Sequence, residues 1–362
     1  MRLVSLLVCI LAVPATSAQD PTCGPDARAL ATALRTDYGG RDLMDDADRA
    51  AAFDALVAQA GGAADAAACD SLLWTATALF PDGHLDVDTP REVPRRFWPD
   101  RRYGPWGGDL GLRFVGDSAA VLRIPSFDID NKATVDSLLD AHRERLRRTP
   151  YLVINLQANG GGSDDTFSGL TPLLYTRPIR LAGADILATP GNRAYYAQYM
   201  DDERFDADTR AMLRDIVATI DAAEPGTFVA MGADEAFDTV LDGPTAMPRA
   251  VAVVVEGGVG SSAEEFTLMA RTSDKVVVVG TPTAGALDYS NLRMVPLPSG
   301  ERVLRLPTSR RAWLPGFSVD AAGIAPDVGV PPGVADWDAF ALGVLAARDA
   351  VVLENRDAAE RE

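Results

Sequence analysis

A serine nucleophile needs a base within hydrogen-bond reach and backbone N–H groups facing the carbonyl it attacks. The stretch Val251 to Gly285, VAVVVEGGVGSSAEEFTLMARTSDKVVVVGTPTAG, supplies candidates for the first and last of these. A β-branched apolar run, Val251 to Val255, enters a turn containing Gly257, Gly258 and Gly260, and helical spacing begins at Ser261 and Ser262. A serine on so sharp a strand-to-helix turn presents its Oγ for attack, while the free N–H groups of the first helical turn aim at the same point. Ser262 and Glu265 also fit S-x-x-E, a capping box in which the serine only caps the helix, and local sequence alone favours that simpler role. Gly258 to Ala263 matches the G-x-G-x-x-A dinucleotide fingerprint. The next strand, Val276 to Val279, ends in Gly280-Thr-Pro282 without an acidic ribose ligand, and Glu264 and Glu265 would crowd a pyrophosphate, so the nucleotide reading fails.

For a base, the chain offers two histidines. His142 lies on an arginine-rich helical face, His142-Arg-Glu-Arg145, and reads as solvated. His84 follows the turn Pro81-Asp-Gly83 and enters a short alternating strand through Val87. A second glycine-rich turn, Gln157-Ala-Asn-Gly-Gly-Gly162, follows the buried-type strand Tyr151 to Leu156 and can face N–H groups outward as an anion-binding concavity, or be a flexible loop before a helix cap at Ser163. Two histidines and no H-E-x-x-H leave no zinc set, and no cofactor is called for.

The elements that must position these groups read as α/β. Residues 25–80 are alanine-rich with helical spacing, broken at Gly39-Gly40 and Gly61-Gly62, and form a small helical N-terminal unit spanning 19–80. Strands then alternate with helices: Leu110 to Val115 with Ala119 to Ile124, an amphipathic helix from Thr134 to Leu146, a hairpin around Pro298-Ser-Gly300, and a last helix from about Asp336 to Arg348. This implies a single mixed-sheet core over 81–348, preceded by the helical unit and followed by a polar tail, 349–362. The acidic, aromatic stretch 189–247 carries one clear helix, Asp208 to Ala222, and reads as an insertion or cap over a cleft. A loop rich in proline and arginine runs from Arg91 to Gly108.

Residues 1–18, with Arg2, an apolar run and a small-residue end, have the layout of a cleavable signal peptide. Export to the periplasm or the exterior follows, and Cys23 and Cys69 are then expected to pair as a disulfide in an oxidising compartment. A formal charge of −18 argues against nucleic acid and against anionic membranes once the signal is gone.

Four segments in order resemble the C-terminal processing, or tail-specific, serine protease family, in its tricorn-protease-like branch. They are Asp82-Gly-His84; Asn155 to Gly162; Gly260-Ser-Ser-Ala-Glu-Glu-Phe266 with Gly280-Thr-Pro-Thr-Ala-Gly285; and Gly323-Ile-Ala-Pro-Asp327. The resemblance implies a peptide or protein substrate, Ser262 as nucleophile, and an oxyanion hole from the N–H groups of Gly161 and Ala263. One branch of the family activates its serine with a lysine after the T-x-G run, where this chain has Ala286. The tricorn-like branch uses a histidine, which His84 matches, held by a carboxylate before G-I-x-P-D, where Asp320 stands; Asp82 and Asp86 are rivals because they flank His84. The 74 residues between His84 and Asn159 are too few to add a PDZ domain to the elements already placed there. The alternative is a non-catalytic ligand- or peptide-binding protein on the same scaffold, which the missing lysine and the short Asp320 favour.

Overall fold

The computed structural model describes residues 22–89, 109–231, 236–241, 243–320 and 322–359. The leader read over 1–18 and the whole of the loop Arg91 to Gly108 lie outside them. In chain order the elements are helices α1 (Cys23–Thr36), α2 (Ala47–Ala60) and α3 (Ala66–Thr77), strands β1 (Asp86–Asp88), β2 (Gly111–Val115) and β3 (Ala119–Arg123), then α4 (Lys132–Leu146), β4 (Tyr151–Asn155) and the single turn α5 (Thr171–Leu174). Strands β5 (Ile179–Ala182) and β6 (Ala184–Leu187), helices α6 (Pro190–Ala197) and α7 (Ala207–Ala222), and strands β7 (Phe228–Ala230) and β8 (Ala236–Thr239) follow. The chain ends in β9 (Ala250–Val255), α8 (Ser262–Arg271), β10 (Val276–Gly280), β11 (Tyr289–Pro296), β12 (Val303–Arg311), β13 (Val328–Gly329) and α9 (Trp337–Ala359).

The mixed sheet has the order β13-β10-β9-β4-β3-β2, parallel throughout except for the antiparallel edge strand β2. Its central strands are unbroken apolar runs because both faces are covered: every residue of β9 and β10 is buried. One face packs Val251, Val253 and Val255 against Phe266 and Phe127; the other packs Ala252 and Val254 against Ala341 and Leu345 of α9. α9 runs on to Ala359, past the helix end expected from the sequence, and takes in most of the residues read as a polar tail.

A second sheet, wholly antiparallel, runs β1-β12-β6-β7 with β11 on the other edge of β12. The hairpin β11–β12 is longer than its alternating segments suggest because the pairing skips Asn291, at φ 59°, and resumes with Ser290 opposite Ser309 and Tyr289 opposite Arg310. The three N-terminal helices pack on this sheet: Leu30, Leu34, Phe53 and Leu73 share one core with Val87, Leu304 and Leu306. Cys23 and Cys69 form a disulfide between α1 and α3. Arg302, fully buried, bonds Asp26 of α1 and Asp70 of α3, tying helices to hairpin. Among the described residues no helix is long and apolar enough to cross a membrane.

Candidate active site

Loops at the C-terminal ends of β4, β9 and β10 come together, the usual place for a ligand on a parallel sheet. Between β9 and α8 the chain turns at Ser261, whose φ of 56° and ψ of −128° lie in a region that residues with a Cβ rarely enter, at a cost of about 1–3 kcal/mol. The turn is held from outside. Ser261 donates its N–H to Ala286 O (3.0 Å) and to Glu264 Oε2 (3.1 Å). Glu264 is fully buried and also accepts from Thr283 Oγ1 (2.5 Å) and from the N–H groups of Gly285 and Ala286 (2.8 Å each). Two S-x-x-E pairs overlap here, and it is Glu264 whose carboxylate reaches back to the start of the helix, while Ser261 makes no side-chain cap bond. Glu265 instead faces the cleft and pairs with Arg311 at 2.5 Å.

Ser262 is the first residue of α8. Its Oγ donates to Gly162 O at 3.1 Å, and the buried carboxyl of Asp164 lies beside it. Its N–H has no acceptor among the described residues. The two N–H groups expected to receive an oxyanion are engaged elsewhere: that of Ala263 donates to Gly260 O (3.1 Å) and that of Gly161 to Asn159 Oδ1 (2.9 Å). Gly161 nonetheless sits against the serine turn. At φ 95°, a Cβ on it would fall 2.6 Å from Ser261 Cβ and 2.9 Å from Ser262 N.

His84 reaches the same cleft from the antiparallel side, and the preceding Gly83 is pressed so closely on the loop after β10 that a Cβ there would lie 2.4 Å from Gly285 O. The imidazole is only 3% exposed. Its Nδ1 lies 2.5 Å from the carbonyl oxygen of Tyr289. A carbonyl can only accept, so Nδ1 carries the proton and Nε2 keeps its lone pair. Burial, with Arg305 and Arg311 nearby, lowers the His84 pKa to about 4, so the ring is neutral at ordinary pH.

No carboxylate among the described residues is hydrogen-bonded to this ring. Asp320, 1% exposed, accepts from Leu287 N (2.6 Å) and Asp288 N (2.7 Å) through Oδ1 and from Gly83 N (3.1 Å) through Oδ2. Asp82 accepts from the N–H groups of His84 (2.8 Å) and Leu85 (3.1 Å) and from Tyr38 Oη (2.8 Å). Asp86 accepts from Val87 N at 2.8 Å. Burial first, and then repulsion among Asp82, Asp288 and Asp320, pushes the carboxyls of Asp82 and Asp320 well above the usual range.

Ser261, Ser262, Gly161 and His84 line one cleft of about 1200 Å³, whose far wall is apolar and comes from Tyr195, Tyr199, Phe205 and Ile216 around α6 and α7. Among the described residues no group of three or more His, Cys, Asp and Glu is arranged to hold a metal ion. Two features escaped the sequence reading. Ser261 was signalled by the overlapping S-x-x-E, which fits it with Glu264 as well as it fits Ser262 with Glu265. Tyr289 acts through its backbone, which leaves no mark on side-chain type.

The model of peptidase family S41 matches residues 118–330. No curated protein matches the chain. Among solved structures, a provisionally described peptidase from Parabacteroides merdae superposes with a TM-score of 0.57 at 16% identity, over 89% of this chain and 96% of that one. A lipoprotein from Streptococcus agalactiae gives a TM-score of 0.50 at 14% identity, over 93% of this chain and 99% of that one. The photosystem II D1 C-terminal processing protease gives a TM-score of 0.39 at 14% identity, over 64% of this chain and 50% of that one.

Proposed function

The chain belongs to peptidase family S41 and is a serine peptidase for peptide or protein substrates, and we propose that it works through Ser261 as nucleophile and His84 as base. The observation that carries the choice of serine is the backbone of Ser261, a non-glycine residue kept at φ 56° by a buried glutamate. Strain of that kind persists only where the surroundings impose it, and it throws a side chain clear of the helix that follows. Oγ of Ser261 gives its proton to Nε2 of His84 as it attacks the scissile carbonyl. The unpaired N–H of Ser262 receives the resulting oxyanion, joined by an N–H of the glycine loop at Gly160 or Gly162, that of Gly161 being taken by Asn159. The imidazolium then protonates the leaving amine, and a water repeats the cycle in reverse to release the acyl group. The carbonyl of Tyr289 against Nδ1 of His84 supports the required tautomer and a dyad in preference to a Ser-His-Asp triad. The Cys23–Cys69 disulfide supports an exported protein working in an oxidising compartment.

Ser262 is the second reading, favoured by the Asp164 carboxyl beside it in the same cleft. Labelling with a fluorophosphonate, followed by peptide mapping, separates the two. Modification is expected at Ser261; Ser261→Ala should abolish it and lower kcat/KM on the order of 10⁶-fold, while Ser262→Ala remains labelled. Label on Ser262 would transfer the role to that residue, and a protein in which no serine reacts would leave the proposed machinery without a nucleophile.

A further inference from the structure

We infer that Asp320 is a positioning residue that acts on His84 through the peptide backbone, fastening the base's own loop and the loop that leads into β11, whose first residue Tyr289 bears the carbonyl, to a single carboxylate. This rests on the reading of His84 as the base and adds the device that keeps its tautomer. The three N–H groups that Asp320 binds belong to Gly83, Leu287 and Asp288. Gly83 is the residue before His84, and Asp288 is the residue before Tyr289. One side chain thus joins two loops some 200 positions apart in sequence, and these loops carry or lead into the two halves of the Nδ1–H···O=C bond.

The link is reciprocal. While the Asp320 carboxylate takes the N–H of Asp288, the Asp288 carboxylate takes the N–H groups of Val319 (3.0 Å) and Asp320 (3.1 Å) and the hydroxyl of Ser318 (2.6 Å). From the other side Asp82 grips the N–H of His84 itself and is braced by Tyr38. Sterics close the remaining freedom, since a Cβ on Gly285, at φ 73°, would lie 2.9 Å from Asp320 O. A carboxylate touching the imidazole would fix its tautomer directly. Here a carbonyl does so, and a carbonyl is only as well placed as the chain that bears it. Displacement of a catalytic group by about 1 Å can cost on the order of a hundredfold in rate. A short, buried aspartate bonded to three N–H groups at 2.6–3.1 Å is suited to deny that displacement.

The test uses the full chain with His142→Gln, which leaves His84 as the only histidine, and ¹⁵N-labelled imidazole. The parent should show the proton on Nδ1. In Asp320→Asn, where an amide NH₂ replaces one acceptor oxygen, kcat should fall about 10- to 100-fold with KM within about twofold. The acid limb of kcat/KM should stay in place, and the imidazole signals should move towards the Nε2–H tautomer that free imidazole prefers. Asp320→Ala should move both readouts further, and if it does not fold, Asp320→Asn carries the test alone. Unchanged tautomer and unchanged kcat in Asp320→Asn would overturn the inference. So would a loss near 10⁴-fold with a displaced acid limb, the mark of a carboxylate acting on the ring itself. If no serine reacts with phosphonate yet the tautomer still answers to Asp320, the nucleophile assignment falls and the clamp stands.

Discussion

The two halves of the site are built by opposite means. On the serine side the chemistry sits in the backbone: a strained turn at Ser261, an unpaired N–H at Ser262 and glycines packed at distances no Cβ would allow, all on the rigid ends of parallel strands. On the histidine side it sits in buried polar side chains, with Asp82, Asp288, Asp320 and Tyr38 holding loops on an antiparallel sheet that leans on the N-terminal helices. The first half should fail by steric intrusion. The second should fail through lost bonds, lost support or altered protonation.

With Ser261 and His84 both left in place, the largest effect on activity is expected from Gly161→Ala. A methyl group there must enter at φ 95° and displace Ser261 Cβ, 2.6 Å away, and Gly260 O, 2.8 Å away. Neither can yield without opening the serine turn. We expect kcat/KM to fall by at least about a hundredfold, with a loss of about 1–3 kcal/mol in unfolding free energy. Steady-state kinetics and chemical denaturation measure both. A variant with parental kcat/KM would mean that the glycine loop does not bear on the serine.

Legibility in the sequence followed the same divide. The parallel sheet was readable because strands buried on both faces must be apolar throughout, and Val251 to Val255 and Val276 to Val279 can hardly be anything else. His84 was readable as one of two histidines, placed after a turn. Which of two adjacent serines takes the strained turn was not, because the same S-x-x-E pattern fits both and only the bonds of Glu264 to Gly285 and Ala286 separate them. The histidine's partner was out of reach for a different reason. Pattern reasoning looks for a carboxylate, and here it finds Asp320, which the fold does bring into the neighbourhood but spends on backbone N–H groups. The second sheet was also hidden, since β6 and β7 are short and their apolar residues serve the cleft wall as much as the ladder.

Support for the histidine side can be withdrawn at a distance. Replacing Cys23 and Cys69 together by serine reopens a loop with a sequence separation of 46, which by chain entropy costs about 4 kcal/mol. The loss should fall on the core that α1 and α3 share with Val87, Leu304 and Leu306. In hydrogen exchange, amides of residues 23–88 should lose protection while those of β4 and β9 keep theirs. Equal loss across both sheets would show that the halves unfold as one unit and would erase the mechanical part of the comparison.

The smallest effect, and the one that isolates protonation, concerns His84. Its pKa is lowered from 6.5 to about 4, chiefly by burial. A histidine buried neutral leaves the unfolded chain binding the extra proton first. Its effect is therefore absent above about pH 6.5, and stability is lost as pH falls from there towards 4, reaching about 3 kcal/mol at the acid end. Asp82 and Asp320 run the other way. Their raised pKa values favour the fold in acid and cost stability as pH rises past them, so the total curve mixes opposite slopes. The difference in unfolding free energy between the parent and His84→Gln removes that mixture, and it should shrink across pH 6.5 to 4 and stay flat above. The acid limb of kcat/KM, which reports the free enzyme, should likewise lie near pH 4 and not near 6.5. A limb at 6.5 would mean that the imidazole is solvated before substrate binds, and the buried half of the site would then be as open as the half built from backbone.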